Sequence, residues 1–329
     1  MKRLFYIILL VGLLSSCDSG KDRFNVDISG IPDPGMEIQR YGRDLFQLNP
    51  DSLGVELPVL AERYPFFLGK PPLDTLSYIQ IHEFITDPLL EEVALACDTV
   101  YPDTRQTEDE LNLAWRYYRY YFPRAEVPMV YSYVSGLDYE YPVQLHSGIL
   151  LIALDMYLGK DYVPYAEARI PRYRSRRATP EHLVRDVMIE AANNIPENYP
   201  DENILLDRII EKGKVMLFLD ATLPDVHDTI KIAYTEEQLR WCESNERNLW
   251  AFLIENELLF SSDYEKTHKL IIDGPFTSYF PDGSPGRTGW WIGWQVVRSF
   301  MENNPDVSLA QLMQEMTARQ VLDNSGYNP

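Results

Sequence analysis

Histidine, cysteine and basic charge are what this chain is short of, and each shortage removes a class of function. Three cysteines occur in 329 residues, Cys17, Cys97 and Cys242, too few for a disulfide framework. The five histidines are His82, His146, His182, His227 and His268, and four positions beyond them stand Thr86, Leu150, Asp186, Lys231 and Ile272. A zinc-peptidase helix needs a second histidine there, with a glutamate beside the first. No Cys-x-x-Cys pair occurs either, so no metal ligand and no cofactor is assigned. The chain also lacks a Gly-x-Ser-x-Gly elbow, a phosphate-binding loop and a dinucleotide fingerprint, and with them the chemistries those motifs carry. Thirty basic residues against fifty acidic ones leave a net charge of −20. Such a surface repels nucleic acid and anionic headgroups. Past residue 14 no apolar run is long enough to span a bilayer. Internal repeats, low-complexity tracts and long linkers are missing too.

What is present begins with a leader. Met1-Lys-Arg is basic, Leu4 to Leu14 is apolar, and Leu14-Ser-Ser-Cys17 follows. This is too short for a membrane span and reads as a signal peptide over 1–16. Its ending resembles a bacterial lipobox. Cleavage before Cys17 leaves that cysteine as a lipid-bearing N-terminus, anchored by several acyl chains acting together. Residues 17–24 then form the lipidated N-terminus and tether, and 25–329 one globular domain. The expected partners are the membrane, through Cys17, and other proteins of the cell envelope. Cys97 and Cys242 lie within apolar patterns and are expected to be free, buried thiols.

Patterning predicts a mostly helical α+β domain with a small sheet. Phe24 to Ile31 reads as a first strand. Ile38 to Phe46 leads into a short helix, and further helices are expected over Pro58–Tyr64 and Pro88–Cys97. Thr107-Glu-Asp-Glu110 is a capping box, opening a helix with Leu111, Ala114, Trp115, Tyr118 and Phe122 on one face. Val127–Val134 is β-rich, with Tyr139–Leu145 as its pairing partner. Thr179-Pro180 starts a helix with Leu183, Val184, Val187, Met188 and Ala191 on its apolar face. Asn203–Leu219 is another, with Gly213 inside it. A second capping box, Thr235-Glu-Glu-Gln238, begins the longest helix, running to about Phe260. Ser284 to Trp294 opens the penultimate helix, where Gly289 and Gly293 let a neighbouring backbone approach closely. Val307–Ala318 is expected to be the last.

Four features are candidates for function. The run from Ile149 to Tyr162 is nearly unbroken in apolar character, with Asp155 set inside it. A carboxylate there must be paired or hydrogen-bonded. It is either a binding or catalytic acid or a structural acceptor of backbone N–H groups. Glu246 falls on the apolar stripe of the longest helix and could pair with Asp155, as two carboxylates do in a glycosidase. Ala168 to Ala178 holds five arginines. If that segment is extended, Arg172, Arg174 and Arg176 share a face, as an anion-binding patch or as partners for internal carboxylates. Tyr117, Tyr118, Tyr120 and Tyr121 surround one helix, either as a glycan platform or as core and interface residues.

Leu154-Asp-Met-Tyr-Leu-Gly-Lys-Asp-Tyr162 resembles the signature of the gliding-motility lipoprotein GldB family. Three later blocks resemble the same family in the same order: Gly213 to Asp225, Trp241-Cys-Glu-Ser-Asn-Glu246, and Ser284 to Arg298. The resemblance implies a zincin-like fold, a degenerate metallopeptidase. It also implies a non-catalytic envelope lipoprotein supporting gliding motility or the associated type IX secretion machinery. Beside it stand two readings from the residues, an envelope hydrolase using a carboxylate pair and a glycan-binding surface lipoprotein using tyrosines.

Overall fold

The computed structural model describes residues 23–197, 202–280 and 283–329. The leader, Cys17 and most of the tether lie outside them. Phe24 to Ile31 forms no strand. Its carbonyls are held by a side chain instead: Arg116 donates to Ile28 O at 2.8 Å and to Ile31 O at 3.1 Å, while Phe24 packs edge-on against Tyr121.

The first strand is β1 (Ile38–Gln39), followed by α1 (Tyr41–Phe46). Next come α2 (Leu53–Arg63), the single turn α3 (Pro65–Leu68) and α4 (Thr75–Ile85). The second of the predicted helices therefore starts earlier than expected, with Pro58 inside it. Helix α5 (Pro88–Val100) follows, capped by the Asp87 carboxylate on the N–H groups of Leu89 and Leu90. Helix α6 (Arg105–Tyr121) begins two residues before the predicted capping box. The box does not form, because Thr107 lies inside the helix and Thr104 takes the N-cap position. Glu110 accepts from Gln106, and Glu108 accepts from Thr104 Oγ1 and from the N–H of Ile38 on β1.

Strands β2 (Met129–Tyr133), β3 (Val143–His146) and β4 (Ile149–Ala153) complete a four-stranded mixed sheet in the order β1-β2-β4-β3. Strand β3 pairs antiparallel with β4, not with β2 as the sequence had implied. The cause is the two-residue turn at Ser147 and Gly148, with φ of 50° and 76°, which is the geometry of a tight hairpin. Strand β2 then lies parallel to β4, and β3 is left as an antiparallel edge.

After the sheet come the short helices α7 (Val163–Glu167) and α8 (Arg172–Ser175), then α9 (Pro180–Asn193) and α10 (Leu205–Thr222). Next are α11 (Asp228–Ile232), α12 (Glu236–Glu255) and α13 (Tyr264–Thr267). The Thr235–Gln238 capping box forms as read, but α12 ends at Glu255 rather than near Phe260, where Glu257 turns to a φ of 54°. The chain closes with α14 (Thr288–Asn303), α15 (Leu309–Glu315) and α16 (Ala318–Ser325). The expected last helix is thus two, and α14 is third from the end. Ser308 with Gln311 and Thr317 with Gln320 each form a capping box, so the second starts a new helix after an extended Met316.

The main core lies between the sheet and α6, α9, α10 and α14. Helix α10 is its axis, buried at nearly every position from Leu205 to Thr222, and α14 crosses it most closely. A smaller cluster around Tyr41, Leu57 and Tyr64 packs on Tyr131, on the other face of the sheet.

Candidate functional site

Strand β4 runs directly into a one-turn 3-10 segment, Leu154–Met156. That turn places Asp155 at the end of the sheet with no exposed surface. Its Oδ1 accepts from Ser135 N at 3.0 Å, and its Oδ2 from Ser135 Oγ and Leu137 N, each at 2.8 Å. Burial pushes its pKa up, and these three donors pull against that. Both oxygens are occupied in clamping the loop after β2, where Gly136 and Leu137 have φ of 75° and 65°. The rest of the 154–162 block is tied down as well. Tyr165 Oη donates to Asp155 O at 2.7 Å, and Tyr101 Oη donates to Tyr157 O at 3.0 Å.

Glu246 sits elsewhere. It is half-buried on α12 and accepts from Tyr327 Oη, near the C-terminus, at 2.7 Å. Burial raises its pKa, and Tyr327 offsets part of that. Asp155 and Glu246 sit on separate elements and share no hydrogen-bond partner. The sequence-predicted pair is not assembled.

The arginine segment is helical where extended chain had been the condition for a shared face. Arg172 and Arg176 consequently point to solvent. Arg174 and Arg177, three apart, turn inward onto Asp273. Of the four tyrosines on α6, only Tyr120 is exposed; Tyr118 packs edge-on against Trp115 and Phe218. Cys97 and Cys242 are free and buried, and burial raises the pKa of both thiols.

What the fold does assemble is a cavity of about 270 Å³ between edge strand β3, helix α9 and the start of α14. Asp273 stands in its wall with three guanidinium groups. Arg177 Nη2 lies 2.6 Å and Arg174 Nε 3.1 Å from Asp273 Oδ2, and Arg287 Nε lies 3.3 Å from Oδ1. Burial works to raise the Asp273 pKa, but Arg287, Arg177 and Arg174 outweigh it, and the net shift is downward. Burial pushes Arg287 down to about 10 against the pull of Asp273. Arg287 has a left-handed backbone, with φ of 59°. Tyr234 Oη secures it by lying 2.7 Å from Gly286 O and 3.1 Å from Arg287 O. The guanidinium itself lies over Trp290 and donates to Ile232 O at 2.9 Å.

Helix α9 supplies the opposite wall. Arg185 is 4% exposed and binds Asp186 through Nη1 and Lys231 O through Nε. Its Nη2 is buried with no partner among the described residues. Asp186 also accepts from Tyr157 Oη at 2.9 Å. Burial opposes its ionisation, yet Arg185 and Arg177 bring its pKa below the ordinary value. His182, one turn earlier, is buried with Nδ1 at 2.7 Å from Thr179 Oγ1. Desolvation pushes its pKa down from 6.5 to about 4, so it is neutral. A second cavity of about 330 Å³ shares Arg177, Asp273 and Arg287 with the first and adds Lys160, Arg176 and His182.

Behind α9 the Lys231 whose carbonyl holds Arg185 reaches a buried ionic centre. Asp220 of α10 binds Lys231 Nζ at 2.9 Å, Trp294 Nε1 at 2.8 Å and Arg298 through two nitrogens at 2.8 and 2.9 Å. The charges there are mutually satisfied, which suits a structural hub.

Zinc fits this site poorly. The nitrogen and oxygen that a zinc-peptidase helix offers four apart would here be His182 and Asp186, and Asp186 is already bound by a guanidinium. Further guanidinium groups nearby oppose a divalent cation. Among the described residues no three His, Cys, Asp or Glu side chains group as a metal site requires.

Sequence reasoning had not singled out Arg177, Arg185, Asp186, Asp273 and Arg287. Arg185 carried a readable signal, since it lies among Leu183, Val184, Val187 and Met188 on a buried helix. Asp273 carried none, because its role depends on chain segments about a hundred residues apart.

The fold and site define an α+β protein, mostly helical, whose small mixed sheet and helix α9 enclose a cavity lined by ion-paired arginines. The family model for the gliding motility protein GldB matches residues 21–329, and the chain belongs to that family. The family is one of envelope lipoproteins related to gliding motility. Among the described residues no helix is long and apolar enough to cross a membrane. No curated protein and no solved structure matches the chain.

Proposed function

We propose that this protein is a non-catalytic cell-envelope lipoprotein, anchored through Cys17, that supports gliding motility or the associated type IX secretion machinery on a degenerate zincin-like frame. The observation that carries the non-catalytic reading is the state of the candidate acids. Asp155 spends both oxygens on a loop clamp, and Asp186 spends both on Arg185 and Tyr157. A general acid or base needs a proton position open to substrate, and neither carboxylate offers one. The degenerate zincin reading is supported by α9 lying against the antiparallel edge strand β3. His182 and Asp186 stand four apart on that helix, where a metallopeptidase would carry its two histidines.

The test is genetic. In a gliding host, removing the protein should abolish surface spreading, and the wild-type chain should restore it. Cys17→Ala should lose its acyl label, leave the membrane fraction and fail to restore spreading. Spreading that survives the deletion, or a Cys17→Ala chain that remains acylated and membrane-bound, would overturn the proposal.

A further inference from the structure

We propose that the cavity between β3 and α9 binds a compact oxyanion, a carboxylate or phosphate group, with Arg177, Arg185 and Arg287 as its ligands. Three guanidinium groups converge on the single carboxylate of Asp273. One carboxylate balances one of them, so cationic charge is concentrated around Asp273, while Asp186, Glu140 and Glu190 balance the lining as a whole. Enclosure strengthens the attraction of that local cluster for an anion, because the field is less screened than at an open surface. Arg185 adds a donor that is already desolvated. Its Nη2 is buried and unpartnered among the described residues, although its Nε and Nη1 are bonded. An unsatisfied buried donor is unfavourable in the free protein, and an incoming oxygen would satisfy it.

The backbone points the same way. Arg287 occupies the left-handed region at φ of 59°, which a residue with a Cβ adopts at a cost. Gly286 before it is pressed against the carbonyl of Gly274. The Arg287 guanidinium lies between Trp290 and Asp273. The arginine fork matches the paired oxygens of a carboxylate or phosphate. Glu140 and Glu190 line the same cavity. They repel an extended polyanion, so a single oxyanion that reaches past them is the class of ligand favoured. The inference does not depend on the envelope role, and either can fail alone.

The experiment is calorimetric titration of the full chain in detergent with two probes, inorganic phosphate and N-acetylglycine. At least one should bind once per chain, and the tighter of the two tells phosphate from chain-end carboxylate. Arg177→Gln should weaken that binding by about tenfold or more, the loss of one charge-assisted hydrogen bond, while exposed Arg172→Gln leaves it unchanged. A second measurement uses the wild-type chain alone. Phenylglyoxal labelling of Arg177 should fall in the presence of the probe, while labelling of Arg172 should not. No binding by either probe, binding indifferent to Arg177→Gln, or equal labelling of Arg177 with and without probe would overturn the proposal.

Discussion

Gly213 of α10 and Gly293 of α14 face each other where the two helices cross backbone against backbone. A Cβ at Gly213 would fall on the carbonyl of Gly293, and a Cβ at Gly293 would fall on the carbonyl of Ile209. Both obstacles are backbone, which cannot rotate away. This crossing holds Trp294 and Arg298 against Asp220 and fixes the start of α14, where Arg287 enters the cavity.

Gly293→Ala should therefore destabilise the protein strongly, at or beyond the roughly 1–3 kcal/mol of ordinary overpacking. Gly54 lies in the first turn of α2, and a Cβ there meets nothing within 4 Å. Gly54→Ala should be neutral or stabilising, by up to about 1 kcal/mol. Thermal midpoints of the two variants give the comparison, and equal effects would contradict the packing account.

Asp155→Ala removes the acceptor of two backbone N–H groups and one hydroxyl. Each buried donor left unpaired costs about 1–3 kcal/mol, so the thermal midpoint should drop well below wild type. If the variant melts like wild type yet fails in cells, Asp155 is a functional acid and its structural assignment is wrong.

Acidification should destabilise the protein in two stages. The folded pKa of His182 is about 4 against 6.5 for the free side chain. Between those values the unfolded chain takes up a proton that the folded chain refuses. Stability should then fall as pH falls through that window, by an amount on the order of 3 kcal/mol. Asp186, Asp220 and Asp273 have folded pKa values below the ordinary 3.8, because their arginine and lysine partners outweigh the burial that opposes ionisation. Their contribution is fully present above about pH 4 and is lost as pH falls through the folded values. His182→Gln should flatten the first stage and leave the second. Calorimetry across the range checks both, and a variant with the wild-type slope in the first stage would contradict the assignment.

The helices that the sequence announced most clearly are those with a local signature. Thr235 and Gln238 cap α12 as read, and the aliphatic stripe from Leu183 to Ala191 is buried on α9. Errors arose where a tertiary partner overrode local pattern. The helix expected to open at the Thr107–Glu110 box starts at Arg105 instead, with Glu108 accepting from Thr104 and the N–H of Ile38, and Arg116 captured the carbonyls of the predicted first strand. At the site, Asp155 was legible because a lone carboxylate in an apolar run demands donors. The arginine cavity was not, since Arg177, Arg185, Asp273 and Arg287 meet only through the packing of α9 against β3 and the turn into α14. The five-arginine segment is dense in sequence, yet only its inward-turned members, Arg174 and Arg177, enter the ionic cluster around Asp273.

The centre beside α9 is an ion-paired arginine site whose chemistry disfavours a metal ion. Elemental analysis of the purified, detergent-solubilised chain, after equilibration with zinc and removal of the excess, tests it most directly. The arrangement of Arg185 on Asp186, with Arg177 and Arg287 nearby, predicts well under one zinc per chain. One tightly held zinc per chain, lost on His182→Gln or Asp186→Asn, would contradict it.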